Sequence, residues 1–306
     1  SDLLAQWVAC APRAWPAQAI DNAQRAVADT VACMIAGARD EAVQRVLDGV
    51  QRWGGQGSAS RVGGGSGIDA PWAALINGTA AHALDYDDCS DTLGGHPSAP
   101  VLPALFALAE ARGASGREFV AAYVAGWEAE TRIARGVNFH HYEKGWHPTA
   151  TLGVFGAAAA CARLMGLPPE RIATALALAA TFSSGIKANF GTMAKPLHVG
   201  HAARNGLLAA LLAEDGFTAS ADAFEHRQGF LEVFNGAGNY RAAAIVAGWG
   251  DPWDIVDPGI AIKQYPCCGS THPAIDAMLM LVREHGLRPH QIARIESQTH
   301  KRRLSH

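Results

Sequence analysis

Apolar residues recur at three- and four-residue spacing through nearly the whole first half of the chain, and this period predicts helices over 15–37, 42–53, 70–84, 98–111 and 117–135. Between the second and third of these, 54–67 is rich in Gly and Ser and reads as a connection. Two alanine-rich helices follow at 149–164 and 169–182, separated by Gly166-Leu-Pro-Pro169, a stop signal followed by a start signal. A further helix opens at Lys195-Pro196. The pattern changes after the Pro- and Gly-punctuated stretch 251–259. There 260–265 alternates like a strand, 273–284 is amphipathic, and 292–300 alternates again. The expectation is a mainly α protein in two parts. Residues 1–258 form a large all-helical domain, and 259–306 start a smaller α+β domain that acts as a lid and stops short, because 300–306 ends without a cap directly after a predicted strand.

Composition narrows the function classes. The 306 residues are 49% hydrophobic and only 17% charged, so most of the chain is packed interior, and 33 glycines suit close-packed helices with small contact residues. A net charge of -3, with no basic run, argues against nucleic acid and anionic membranes. Six cysteines without a CxxC pair or a regular framework fit a reducing cytosol. The most apolar stretch, 149–167, contains Arg163 and reads as a core helix rather than a membrane span.

Chemistry-bearing residues gather at helix ends. Four carboxylates, Asp85, Asp87, Asp88 and Asp91, crowd the end of the 70–84 helix, where they oppose the helix dipole and repel one another, so cations must sit among them. His82 and His96 flank this cluster. A His or Lys directly precedes a helix-starting Pro at His96, His147, Lys195 and again at His272, and the free N–H groups of several such termini meeting in one cavity would bind carboxylates beside a base. Lys195 is expected on an extended shoulder before Pro196. His198, His201 and Arg204 share one face of the helix behind it and would lower the basicity of its amine. Ser270 and His272 offer further contacts at the fourth helix start. A divalent ion on His198 and His201 or on the Asp85–Asp88 group is the weaker reading, because HExxH and a second Asp-rich motif are both missing. GxGxxG, P-loop and GxSxG motifs are likewise missing from the sequence. An anion-binding helical protein without turnover is the non-enzymatic rival, and a magnesium enzyme resembling terpene synthases is the second.

Five strings in order carry a family resemblance: Asn77-Gly-Thr-Ala-Ala-His-Ala-Leu-Asp-Tyr-Asp-Asp88, Gly95-His-Pro-Ser98, Gly145-Trp-His-Pro148, Lys195-Pro-Leu-His-Val-Gly200 and Lys263-Gln-Tyr-Pro266. The chain resembles the MmgE/PrpD family of 2-methylcitrate dehydratases, cis-aconitate decarboxylases and iminodisuccinate epimerase. The resemblance implies a large helical domain with an α+β lid that would continue beyond residue 306, and a homodimer with a cleft active site that needs neither metal nor organic cofactor. It implies a small polycarboxylate as substrate. It maps roles onto Asp85, His96, His147 and Lys195, with Lys263 contributed by the lid. Three departures point away from the decarboxylases: Cys89 stands where they have Thr, one extra residue separates Asp85 from His96, and Cys268 stands where they have His. Tyr142, five residues before His147, makes the chain similar to the epimerase-like members, in which a Tyr and a Lys face opposite sides of one carbon. The expected activity is therefore proton abstraction next to a carboxylate by a Lys195/Tyr142 pair, giving epimerisation, with dehydration and then decarboxylation as the alternatives.

Overall fold

The computed structural model describes residues 2–300, the side chain of Ser66 excepted. The predicted end segment 301–306 lies outside them. Helices α1 (Asp2–Cys10), α2 (Ala17–Gly37) and α3 (Glu41–Trp53) precede a small antiparallel hairpin of β1 (Gln56–Arg61) and β2 (Gly65–Ile68). The chain continues through α4 (Ala70–His82), α5 (Ser98–Arg112), α6 (Gly116–Val137) and the one-turn α7 (His140–Glu143) and α8 (Pro148–Thr151). Then follow α9 (Gly153–Leu164), α10 (Pro169–Phe182), α11 (Ala194–Glu214), α12 (Phe230–Asn235), α13 (Ala242–Val246) and α14 (His272–His285). The protein is mainly α. Among the described residues no helix is long and apolar enough to cross a membrane.

Local chemistry explains the stronger elements. Ser115 and Glu118 close a capping box on α6, each side chain accepting from the other's backbone N–H, so this 22-residue helix starts sharply and then runs through the interior. Asp40 caps α3 by accepting from Ala42 N at 2.9 Å. The alanines of α9 are buried all round, which lets α9 stand at the centre against α5, α6, α10 and α11.

One close crossing sets up the rest of the molecule. A Cβ on Gly78 of α4 would lie 2.8 Å from Gly200 Cα of α11, and one on Gly200 would lie 2.2 Å from Leu75 O. Only glycine permits that approach. The crossing lies a few residues before the end of α4 and a few after the start of α11. The two helices therefore deliver the acidic turn after His82 and the lysine of the first α11 turn to the same place.

Three sequence expectations are corrected here. The 54–67 connection holds the β1–β2 hairpin, the one sheet among the described residues, so the first part is not purely helical. The 149–164 helix is broken at Leu152 into α8 and α9. Neither 260–265 nor 292–300 is a strand, because alternation needs a partner edge and only Ala261 finds one, in an isolated bridge with Cys89 (N–H···O 2.9 Å each way). The helix predicted at 273–284 is present as α14, which carries no buried residue.

Candidate active site

Beyond the last turn of α4 the chain reverses at Asp85, whose φ of 50° lies in the left-handed region uncommon for a non-glycine residue. The reversal aims the Asp85 carboxylate at three partners. Lys263 Nζ lies 2.8 Å from Oδ1 and also donates to the Asp85 carbonyl, Lys195 Nζ lies 3.2 Å from Oδ2, and His96 Nε2 is 3.5 Å from Oδ1. Burial by itself would raise the Asp85 pKa, but His96 and the two ammonium groups outweigh it and hold the carboxyl at about 2. Burial would also depress the Lys263 ammonium, yet Asp87 and Asp85 reverse that and raise it.

Asp87, fully buried, lies beneath this hub. Its carboxylate meets His82 Nδ1 at 2.8 and 3.0 Å and His96 Nδ1 at 3.3 Å. Against the penalty of burial, His82 and then His96 hold it well below the usual carboxylate range. Asp88 takes the opposite course. With burial and the charges of Asp87 and Asp29 against ionisation, its carboxyl is pushed up to about 8 despite bonds from Ser98, whose hydroxyl also meets Tyr123 OH at 2.6 Å. Asp91 is exposed. The acidic turn is thus relieved in four ways: by the two ammonium groups at Asp85, by imidazole contacts at Asp87, by protonation at Asp88 and by solvent at Asp91.

A second imidazole group adjoins the first. His147, the N-cap of α8, is buried; its ring centroid lies 5.6 Å from that of His82, and its Nδ1 is 3.3 Å from His198 Nδ1. Burial first, then His82, His96, Lys195 and His198, push its pKa well down, so it is neutral near pH 7. Burial likewise brings His96 down to about 3, against the pull of Asp87. Phe190 stands between the groups, its ring centroid 4.8 Å from that of His147 and 5.3 Å from Lys195 Nζ.

Lys195, Asp85, His96, Lys263 and His147 come together, and with them the starts of α5, α8 and α11. Other expectations need correction. Lys195 is not on an extended shoulder but inside the first turn of α11, where its N–H reaches Thr192 O and Pro196 costs no intrahelical bond. Its neighbours are Asp85 and Phe190 rather than a row of cations. The face shared with Lys195 climbs away from the hub: His198 turns to His147, His201 to Ser184 Oγ (3.3 Å) and Asn205, and Arg204 to Asn205 and over the Trp72 ring. The ammonium of Lys187, not that of Lys195, covers the Tyr142 ring at 3.5 Å, and burial, then Cys268 and Asp85, raise the Tyr142 hydroxyl to about 12. His272 begins α14 and faces Cys267 O at 3.3 Å, while Ser270 lies in the 3-10 turn Gly269–Thr271, where a Cβ on Gly269 would stand 3.9 Å from Cys89 Sγ. Cys89 Sγ is in turn 3.9 Å from His96 Nδ1.

The residues that sequence reasoning left in the background are His82 and Asp87. Their pairing across the helix end, His82-x-x-Asp85-x-Asp87, is the signal that could have found them. With Asp85 and His96 they place four ligand-capable atoms within 4.8 Å of one another, so they, rather than His198 and His201, are the residues able to hold a metal ion. Two ammonium groups already share Asp85, and they would compete with a dication there.

Comparison with known proteins matches the same segments. A family model described as the MmgE/PrpD N-terminal domain matches residues 2–243, and one for the MmgE/PrpD C-terminal domain matches 265–306. The chain is 32% identical over 282 residues to cis-aconitate decarboxylase of Aspergillus terreus, an alignment covering 88% of this chain and 57% of that protein. It is 31% identical over 273 residues to the human cis-aconitate decarboxylase, covering 87% and 56%. The chain therefore spans little more than half the length of these relatives. Both relatives are decarboxylases by name, and neither is named an epimerase.

Proposed function

Because the chain belongs to the MmgE/PrpD family, we propose that it is part of a lyase that breaks a bond next to a carboxylate of a small di- or tricarboxylate, by decarboxylation or dehydration. The observation that carries this reading is the Asp85 hub, in which two ammonium groups and a neutral imidazole meet on one carboxylate beside a second neutral imidazole. Lys195 and Lys263 keep N–H bonds to spare after pairing with Asp85 and would bind substrate carboxylates. In decarboxylation the carbon–carboxylate bond breaks, CO2 leaves, and the electron pair left on carbon spreads into an adjoining carboxylate facing these cations. An ammonium held by Asp85 then suits the return of a proton to carbon, so Lys195 serves as acid in that direction and as base in the reverse. In dehydration the uncharged His96 or His147 takes the carbon-bound proton and the ammonium side assists departure of hydroxide. Tyr142, with its hydroxyl raised to about 12, stays protonated and serves as a donor to the substrate. Cys89 beside His96, with the Gly269–Thr271 turn next to it, borders the pocket where a Thr is expected from cis-aconitate decarboxylases, and tunes which acid fits. Homodimerisation is proposed on family resemblance alone.

Incubating the protein with cis-aconitate, methylcitrate and iminodisuccinate in D2O, followed by NMR, tests the reading. Loss of CO2 with one deuterium gained at carbon, or loss of water with one hydrogen removed from carbon, is the expected result. Deuterium exchange with inversion and no fragment lost would restore epimerisation, and no turnover of any polycarboxylate would leave an anion-binding protein.

A further inference from the structure

Arg204 stands apart from the hub. It follows Lys195 on α11 by about 13 Å along the helix axis, farther than a small di- or tricarboxylate held by Lys195 reaches. Its guanidinium is half-buried and lies over the Trp72 ring, 5.3 Å from the centroid. One edge of the guanidinium is occupied, because Nε and Nη2 both donate to Asn205 Oδ1, at 3.3 and 3.2 Å. Asn205 is only 5% exposed and its Nδ2 also meets His201 Nε2 at 3.2 Å, so one buried amide orients both side chains. Ser184 Oγ braces the other ring nitrogen of His201 at 3.3 Å.

With Nε–H and one N–H of Nη2 spent on Asn205, the guanidinium keeps both hydrogens of Nη1 and one of Nη2, all along its Nη1/Nη2 edge. Two parallel N–H bonds from such an edge match the two oxygens of a carboxylate or a phosphate. Among the described residues no carboxylate takes them: burial is the one influence that shifts Arg204, downward, and His201 is depressed by burial and then by Arg204 itself. A half-buried positive charge that a buried amide orients, with no counter-charge beside it, is set to receive an anion. We propose that Arg204, held by Asn205 and Trp72, is a second anion site, separate from the Asp85 hub, which binds an oxyanion of a small acid through its Nη1/Nη2 edge. The polycarboxylates of the proposed reaction and phosphate share that chemistry. The site itself does not depend on the lyase reading.

The test titrates protein carrying 15N-labelled arginine with tricarballylate and, separately, with inorganic phosphate, and follows the Arg204 guanidinium by NMR. Its signals are identified by their loss in Arg204→Lys, which keeps a positive charge and a long stem over Trp72 but no fork, or in Arg204→Gln should the Lys variant not fold. The expected result is a saturable shift at Arg204 that persists in Lys195→Ala. In that Lys195→Ala background, Arg204→Lys should weaken the remaining binding, measured by calorimetry, by at least about tenfold. A response to tricarballylate alone makes this a polycarboxylate site, and a response to phosphate alone makes it a site for a phosphate-bearing acid. No shift with either probe, a shift that chloride reproduces at equal ionic strength, or a shift that vanishes in Lys195→Ala overturns the proposal. If Lys195→Ala leaves all tricarballylate binding unchanged while Arg204 still responds, the failure belongs to the Asp85 hub and not to this site.

Discussion

Two ionic networks, one against α6 and one at the start of α5, are each centred on an aspartate and put to opposite use. In the first, Asp254 binds Arg135 through a forked pair and lies 3.5 Å from Arg132 Nε, while Arg132 donates from Nη1 to Ala247 O and from Nη2 to Gly248 O at 2.8 and 3.0 Å. Glu128 accepts from Ile255 N at 2.8 Å, and stacked Trp7 and Trp249, with Trp253 and Trp15 beside them, cover the cluster. Nearly every charge is spent on holding 247–255 against α6. The Asp85 hub instead leaves ammonium hydrogens over, and its carboxylate is reached from His96 just before α5, from α11 and from the 260–265 segment at once. A buried charge tied to the backbone of a neighbouring segment is a clamp; one whose partners have donors left over at a shared carboxylate is a site.

Breaking the two networks should separate rate from stability. Lys195→Ala is expected to lower kcat by about 10²- to 10⁴-fold with little change in melting temperature, and Lys195→Arg to fail nearly as badly, since guanidinium does not give up its proton near neutral pH. Steady-state kinetics check this; near-normal kcat with raised KM in Lys195→Arg would reduce Lys195 to an anchor. In the other network, Asp254→Ala leaves Arg132 buried without its carboxylate and should cost about 3–5 kcal/mol in denaturant unfolding. Whatever fraction stays folded should keep its kcat. A large kcat loss there would erase the contrast.

A smaller effect sharpens the comparison within the acidic turn itself. Asp88, with a folded pKa of about 8 against an unfolded value near 4, binds its proton more tightly in the native state. Its contribution to stability is complete below about pH 4 and is lost as pH rises through about 8. Asp85, held at about 2, contributes in the opposite sense: its stabilisation is present above about pH 4 and lost as pH falls through 2. Asp88→Asn should therefore flatten the decline of stability between pH 5 and 8 by up to about 1 kcal/mol per pH unit, measured as unfolding free energy across that range. An unaltered slope would show that Asp88 is ionised in the fold. At the small end, prolonged EDTA treatment should leave turnover unchanged, and activity lost and then restored by Mg²⁺ or Zn²⁺ would give His82, Asp85, Asp87 and His96 to a metal.

The legibility of the sequence follows the same divide. Long helices such as α2 and α6 were plain from periodicity because each buries one or more faces along its whole length. The β1–β2 hairpin was hidden, since its strands are short and rich in Gly and Ser and carry no alternating apolar face. The alternation of 260–265 misled, because Lys263 lies there for Asp85 and not for a sheet. The need of the acidic turn for cations was readable from charge alone, but which cations was not. Lys263 is 178 positions from Asp85, and only the Gly78–Gly200 crossing brings Lys195 to it. His82 and Asp87 escaped because a helix end and a left-handed residue separate them, a geometry that spacing rules for helices do not cover.

The central claim is that polycarboxylates bind and react at the Asp85 hub. A crystal structure with tricarballylate, a tricarboxylate that offers neither a double bond nor a hydroxyl, tests it most directly. The account predicts a ligand carboxylate within about 2.7–3.2 Å of Lys195 Nζ or Lys263 Nζ and a ligand carbon facing His96 Nε2. A ligand bound elsewhere, with the Asp85 ion pairs unchanged and His96 covered, would contradict it.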